Sequence, residues 1–261
     1  MLAGLQEAGV DLTTADVIIG TSAGAVVGAQ LTSGTPLSEL FERQLREPVG
    51  EIPIRLGFGM LGRLLAYMLM PGDEAKARAR LGRAAERAQT MSEPTRKGII
   101  AGRLPVNSWP DRDLRITAVD AETGELVVFD RDSGVELVDA VTASCAVPFV
   151  YPPTTINGRR YLDGGVRSGT NADMARGCDP IVVLTPLAVA LGRRQRVENQ
   201  LASLGAGIRS LVVKADPVAR KSMGRQALDP SRRASSARAG KAQAPEVAKS
   251  VAEVWSLVGP A

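Results

Sequence analysis

The sequence has 261 residues, of which 44% are hydrophobic and 23% are charged, and its formal net charge is +4. This is enough for one large domain or two small ones with a sizeable core. The chain contains no histidine, which excludes Ser-His-Asp and Cys-His mechanisms and histidine-ligated metal sites. Aromatic residues make up only 3%, which argues against a nucleic-acid-binding protein that stacks bases on aromatic side chains.

The positive charge is concentrated in residues 214–241, which hold eight basic and two acidic residues. Two interpretations stay open: a solvated stretch, or a patch that meets anionic lipid headgroups.

Residues 1–12 do not resemble a signal peptide, and the most apolar stretch, residues 52–70, is too interrupted for a membrane span. We therefore expect a cytoplasmic protein, with peripheral membrane contact if the lipid interpretation holds.

The predicted elements alternate between helices and strands. In chain order they are a helix over Leu2–Ala8, a strand over Val17–Ile19, a helix over Ala23–Gln30, mostly helix over 35–102, strands over Leu114–Val119 and Leu126–Phe129, a helix over Val138–Ser144, a hairpin turning at Asn157-Gly158, a strand over Ile181–Leu184, a helix over Gln195–Val213, an irregular stretch over 214–245 and a helix over Glu246–Leu257. This order predicts an α/β fold with a mostly parallel sheet flanked by helices. We expect one domain over residues 1–213 and a basic segment over 214–261 that ends in a helix and packs on the same domain.

A Gly-x-Ser-x-Gly motif is formed by Gly20, Ser22 and Gly24. An apolar strand, Val17–Ile19, precedes it and a helix of small residues, Ala23–Gln30, follows it, which is typical of a nucleophile elbow. The two glycines allow a tight turn and close helix–strand packing, so that Ser22 projects from the turn. The alternative is an ordinary strand–helix turn with a capping serine.

A second motif, Asp163-Gly164-Gly165, follows the predicted hairpin. The apolar pair Tyr161-Leu162 before it is typical of a strand end. The two glycines would hold Asp163 at the start of a loop without steric hindrance. The alternative is a glycine turn with a solvated aspartate.

Together these motifs resemble those of the patatin-like phospholipase family. Gly20–Ala25 resembles its nucleophile elbow, Asp163–Gly165 its catalytic aspartate loop, and Ala143–Pro148 the short motif that ends the helix before that loop. Three more residues follow the aspartate at a spacing similar to that of family members: Asn171, Asp173 and Ala175. The resemblance covers roughly residues 1–190.

The resemblance implies a bacterial serine lipid acyl hydrolase of three-layer architecture that uses a Ser22–Asp163 dyad. Ser22 would attack the ester carbonyl and form an acyl-enzyme, and Asp163 would accept its proton and later activate water. A carboxylate of reference pKa about 3.9 is a weak base, but burial beside Tyr161 and Leu162 would raise its pKa. Most of the barrier lowering must come from oxyanion stabilisation, for which the Ala23 backbone N–H is a candidate donor.

The resemblance also implies a first strand and a glycine-rich oxyanion loop upstream of the elbow, and neither is recognisable ahead of Leu2–Ala8. We expect that the natural start lies further upstream; the alternative is a truncated, inactive chain. Loss of an oxyanion donor lowers the rate by about 100- to 1000-fold. We also expect an unpaired sheet edge beside Val17–Ile19.

Other functions stay open at this point. The same dyad could serve an acyltransferase or a thioesterase, because water and alcohols compete for one acyl-enzyme, or the chain could be an inactive lipid-binding protein. An α/β-hydrolase is excluded because the chain lacks histidine. The dyad mechanism needs no cofactor and no metal, and nothing in the sequence predicts a nucleic-acid partner.

Apolar residues recur on one face of a helix predicted within residues 60–70. They are Met60, Leu61, Leu64, Leu65, Met68 and Leu69. One interpretation is an ordinary core helix; the other is a lid or acyl-chain wall beside Ser22.

Overall fold

The computed structural model describes residues 1–46, 62, 66–67, 73–187, 190, 192–224 and 228–255. The apolar helix face predicted from Met60 to Leu69 lies outside the described residues. The strands are β1 (Val17–Thr21), β2 (Asp113–Asp120), β3 (Leu126–Phe129), β4 (Thr154–Ile156), β5 (Arg159–Asp163), β6 (Ile181–Thr185) and β7 (Ser210–Lys214). The helices are α1 (Leu2–Glu7), α2 (Ala23–Leu31), α3 (Leu37–Leu45), α4 (Glu74–Glu86), α5 (Glu93–Ala101), α6 (Leu137–Ser144), α7 (Val197–Ala202), α8 (Pro217–Met223) and α9 (Arg233–Trp255).

The chain divides into two compact units. One, called here the terminal unit, comprises residues 1–15, 35–55 and 172–261; the other, the central unit, comprises residues 16–34 and 56–171. This division does not coincide with the boundary predicted at residue 213, since residues 214–255 share the terminal unit with residues 172–213. The division of the chain into a domain over residues 1–213 and a basic segment over 214–261 stays a prediction.

The sheet of the central unit has the strand order β1-β2-β5-β4, with β3 also paired to β2. β1 is parallel to β2, whereas β3 and β5 are antiparallel to β2 and β4 is antiparallel to β5. Within the described residues β1 therefore lies at one end of the strand order, which is the edge position predicted for Val17–Ile19. The α/β class with a helix-flanked sheet is confirmed, and the pairing pattern of this sheet is mixed.

Each face of this sheet packs against different helices. Alternate residues of β2, Leu114, Ile116 and Ala118, join a buried cluster with residues of α2 and α6. Val119, on the other face, joins a cluster with residues of α4 such as Leu81. Because successive side chains of a strand point to opposite faces, these clusters define a helix–sheet–helix arrangement of three layers.

The terminal unit contains the parallel pair β6–β7. Its apolar cluster joins residues of α1, β7 and α9, including Leu5, Val213, Ala244 and Val251. None of the helices in the described part of the chain is both long and apolar enough to cross a bilayer.

Two sequence predictions in this unit are wrong. The helix predicted over Gln195–Val213 is replaced by the short helix α7 and the strand β7, because the run Leu211–Val213 pairs with β6 and β-branched residues favour strands. The stretch predicted as irregular over 214–245 contains α8 and most of α9. Its alanine, arginine, lysine and glutamine residues have high helix propensity, which its charge and Pro245 obscured.

Candidate active site

Ser22 occupies a sharp turn between the end of β1 and the start of α2. Its backbone has φ 55° and ψ −120°, which a residue with a Cβ adopts only at a cost of about 1–3 kcal/mol. Gly20 makes the turn possible, because a Cβ there would lie 2.5 Å from the Cα of Ala25. Gly24, which the motif also singled out, is different: a Cβ at this position would meet no atom within 4 Å. The steric requirement therefore falls on Gly20 and not on Gly24.

Asp163 ends β5 and is only 4% exposed. The Ser22 hydroxyl donates a hydrogen bond to Asp163 Oδ2 at 2.6 Å, and the Gly165 N–H donates one to Asp163 Oδ1 at 2.7 Å. Glycine is required at both positions after Asp163: a Cβ at Gly164 would lie 2.5 Å from Thr117 Oγ1, and one at Gly165 would lie 2.9 Å from Asp163 Oδ1. The structure thus brings together Ser22 and Asp163, two candidates that are 141 positions apart in sequence.

The register of β2 with its two neighbours explains why these residues meet. Thr21 lies opposite Thr117 on one side of β2, and Asp163 lies opposite Ala118 on the other side. Ser22, one residue past Thr21, is therefore level with Asp163, with β2 between them. The two side chains meet across β2 in a hydrogen bond of 2.6 Å.

The last turn of α6 and the residue after it hold the backbone of Ser22. The Ser22 N–H donates to Ser144 Oγ at 2.9 Å, and the Cys145 thiol donates to the Ser22 carbonyl oxygen at 3.2 Å. Burial raises the pKa of Cys145 to about 12, so the thiol stays protonated and remains a donor. Both cysteines are free; Cys145 is buried, whereas Cys178 is half-exposed.

Burial raises the pKa of Asp163 from its ordinary value of 3.8 to about 6. The hydrogen bonds from Ser22 and the Gly165 N–H oppose this shift, as does the charge of Arg96. Arg96 is itself 3% exposed, and its guanidinium lies 3.5 Å from the centre of the Tyr151 ring. Asp163 is therefore a stronger base than a solvated aspartate and is still mostly ionised at neutral pH.

The N-terminus of α2 lies at Ser22. Because the first N–H groups of a helix have no intrahelical acceptor, the exposed Ala23 offers a donor beside Ser22. The positive end of the helix dipole also favours negative charge there. No group of three or more carboxylate or cysteine residues in the described residues could hold a metal ion.

Sequence reasoning missed the supporting residues. Ser144 and Cys145 entered only as part of a motif, and Asn171 only by its spacing; none was assigned a role. Thr117 lies in the strand predicted over Leu114–Val119 and was assigned no role either. The available signal was a hydroxyl within the run Ile116–Val119, because a buried hydroxyl needs a polar partner.

The chain is therefore an α/β protein with a serine–carboxylate site. The serine lies in a strained turn between a strand and a helix, and its hydroxyl is hydrogen-bonded to a buried carboxylate. The family described as patatin-like phospholipase matches residues 2–176, which is more than half of the chain and includes both Ser22 and Asp163. The chain belongs to the patatin-like phospholipase family. Membership implies lipid acyl hydrolase activity.

Proposed function

We propose that the protein hydrolyses acyl esters of phospholipids or related lipids through a Ser22–Asp163 dyad and an acyl-enzyme. The observation that carries this proposal is the 2.6 Å hydrogen bond from Ser22 Oγ to Asp163 Oδ2. Hydrogen-bond contact between a nucleophile and its base is the geometric requirement for such a pair. The raised pKa of Asp163 supports its role as the base.

In the first half-reaction Ser22 Oγ attacks the ester carbonyl carbon while its proton passes to Asp163 Oδ2. The tetrahedral intermediate then expels the alcohol, which takes that proton from Asp163, and the acyl group stays on Ser22. In the second half-reaction water gives a proton to Asp163 and attacks the acyl carbonyl. Release of the carboxylic acid returns the proton to Ser22 Oγ. The Ala23 N–H is the oxyanion donor that the elbow contributes.

Labelling with a fluorophosphonate tests the nucleophile, because the probe reacts with an activated serine and not with a merely buried one. Ser22→Ala should abolish both labelling and hydrolysis of a p-nitrophenyl ester. Ser33→Ala is the matched control, since Ser33 follows the other end of α2 and its hydroxyl donates to the Gln30 carbonyl. Full turnover by the Ser22→Ala variant would exclude this mechanism.

Transfer to another acceptor is the second candidate reaction for the same site. An acyltransferase would resolve the acyl-enzyme with an alcohol, and a thioesterase would load it from a thioester. Adding glycerol or a lysophospholipid during turnover of a radiolabelled lipid separates free fatty acid from a transfer product. A protein that is not labelled and releases neither product would be an inactive lipid-binding protein.

We also propose that the surface around α8 contacts anionic membranes. Val218 is 68% exposed, and Arg220 and Lys221 on the same helix are exposed as well. The exposed Arg232 packs beside Gly224, just past the end of α8. An exposed apolar side chain among cations is suited to the interface of a lipid bilayer, where phosphates meet hydrocarbon.

Vesicle sedimentation tests this contact. Phosphatidylcholine vesicles containing phosphatidylserine should bind the protein more strongly than phosphatidylcholine alone, and salt should weaken the binding. Arg232→Glu should reduce it, whereas Lys249→Glu, the same charge change about 25 Å further along α9, should not. Equal losses in both variants would indicate a general charge effect in place of a defined surface.

A further inference from the structure

A buried polar cluster lies behind the dyad, on the opposite face of β2. Thr21 and Thr117 are direct partners in the β1–β2 ladder, and their hydroxyl oxygens lie 2.7 Å apart. Thr117 precedes Ala118 in β2, so its side chain points away from the face that carries Asp163. Thr117 is fully buried.

The side-chain amide of Asn171 joins this cluster, and Asn171 is 0% exposed. Its Nδ2 lies 3.1 Å from Thr21 Oγ1, 3.3 Å from Thr117 Oγ1, 3.2 Å from the Gly164 carbonyl oxygen and 2.9 Å from the Ser168 carbonyl oxygen. Two amide hydrogens are therefore shared among four acceptors. The Asn171 Oδ1 in turn accepts a hydrogen bond from the Arg167 guanidinium at 2.9 Å.

Two of these acceptors are covalent neighbours of the dyad. Thr21 directly precedes Ser22, and Gly164 directly follows Asp163. Gly164 also packs directly against Thr117. One amide group thus donates hydrogen bonds both to the end of β1 and to the residue that follows Asp163.

We infer that Asn171 is a positioning residue that sets the separation of Ser22 Oγ and the Asp163 carboxylate from behind the sheet; the inference rests on the function proposed for these two residues. A dyad differs from a triad, in which a third side chain orients the histidine. Its geometry depends on how firmly two backbone segments are held. A displacement of about 1 Å at a reacting pair can reduce the rate by about 100-fold.

The role requires an amide donor. A carboxylate at position 171 would place acceptor oxygens against the Gly164 and Ser168 carbonyl oxygens, with no hydrogen to share. The backbone of Asn171 has φ 45°, a conformation that asparagine, aspartate and glycine tolerate. Asn171→Asp and Asn171→Gly therefore remove the donor without straining the main chain.

The test measures kcat and KM for a short-chain p-nitrophenyl ester together with the rate of fluorophosphonate labelling at Ser22. Asn171→Asp and Asn171→Gly should lower kcat and the labelling rate by about 10- to 100-fold, with KM within about twofold, since ester binding is untouched. Asn157→Asp is the matched control: Asn157 has φ 50° in the exposed β4–β5 turn, and its variant should behave as the wild type. Circular dichroism at the assay temperature verifies folding.

Labelling of the wild type separates failure of the proposed hydrolysis through Ser22 from failure of the positioning role of Asn171. Without labelling of Ser22 in the wild type, the proposed function fails. With wild-type labelling, a folded Asn171→Gly variant that reacts at the wild-type rate overturns the positioning role. A rise in KM at unchanged kcat also overturns it. If neither Asn171 variant folds, Thr21→Val decides, because it removes one acceptor and keeps the shape: a reduced kcat supports the inference, and an unchanged kcat overturns it.

Discussion

Ala118 and Asp163 are direct partners in the antiparallel ladder of β2 and β5, so their side chains lie on the same face of the sheet. Ser22 reaches Asp163 from the other side of β2. Ala118, the β2 residue between their backbones, has a single methyl group and is 0% exposed. A larger side chain at this buried position has no free space to occupy.

Ala118→Val should lower kcat for ester hydrolysis by at least about 10-fold, because two added methyl groups next to Asp163 would crowd the hydrogen bond between Ser22 and Asp163. Overpacking at this buried position should also reduce the free energy of unfolding by about 1–3 kcal/mol. Ala118→Gly is the control, since it weakens the strand without filling the space under the dyad. Similar kcat losses in the two variants would make Ala118 an ordinary core residue.

The pH dependence of kcat/KM should follow the ionisation of Asp163. Its pKa is raised to about 6, and the base form is needed for attack, so kcat/KM should fall about tenfold per pH unit below that value and level off above it. The chain has no histidine that could produce the same midpoint. Initial rates on a short-chain ester, with folding checked at each pH, measure the profile. A midpoint near 4 would mean that the carboxylate is solvated during catalysis.

Asp163→Asn should remove activity and yet stabilise the fold at alkaline pH. The folded pKa of about 6 exceeds the ordinary 3.8, so the contribution of Asp163 to stability is present at low pH and lost as pH rises from about 4 through 6. At pH 8 the ionised buried group therefore costs on the order of 3 kcal/mol. An amide can still accept from the Gly165 N–H and donate to Ser22 Oγ.

Urea unfolding of the wild type and the Asp163→Asn variant measures this difference. The variant should be more stable at pH 8, and the gap should narrow at pH 4. A variant that is less stable than the wild type at both pH values would show that the lost hydrogen bonds outweigh the burial of charge.

Alanine substitutions at the two elbow glycines should have opposite effects. Gly20→Ala places a Cβ 2.5 Å from the Ala25 backbone, so it should separate α2 from β1 and abolish both stability and activity. Gly24→Ala meets no atom within 4 Å and should stabilise α2 by up to about 1 kcal/mol. Thermal unfolding distinguishes them. Strong destabilisation by Gly24→Ala would contradict the geometry of the elbow.

The strand–turn–helix around Ser22 and the hairpin before Asp163 could be predicted because both are local. Apolar runs, glycines and the Asn157-Gly158 turn, whose residues have φ 50° and 76°, determine them over a few residues. The strand β7 could not, because its formation depends on a partner strand 29 positions earlier. Periodicity within one segment carries no information about such a partner.

The residues that support Ser22 and Asp163 could not be predicted from the sequence either. The contacts of Asn171 with Thr21 and Thr117 span 150 and 54 positions, and which hydroxyl an amide meets depends on strand register. Sequence motifs singled out Ser22 and Asp163, which the structure brings into contact, because each lies beside glycines. They did not identify the residues that hold those side chains in place, since asparagine and threonine are common in loops and strands alike.

The assembly of the dyad around β2 has a consequence for folding. Ser22 and Asp163 are separated by 141 positions, and neither can approach the other until both β1 and β5 have docked on the strand between them. Such contacts between distant parts of the chain form late and slowly. Reactivity toward a serine-directed probe should therefore return only in the last phase of refolding, after the local helices have already formed.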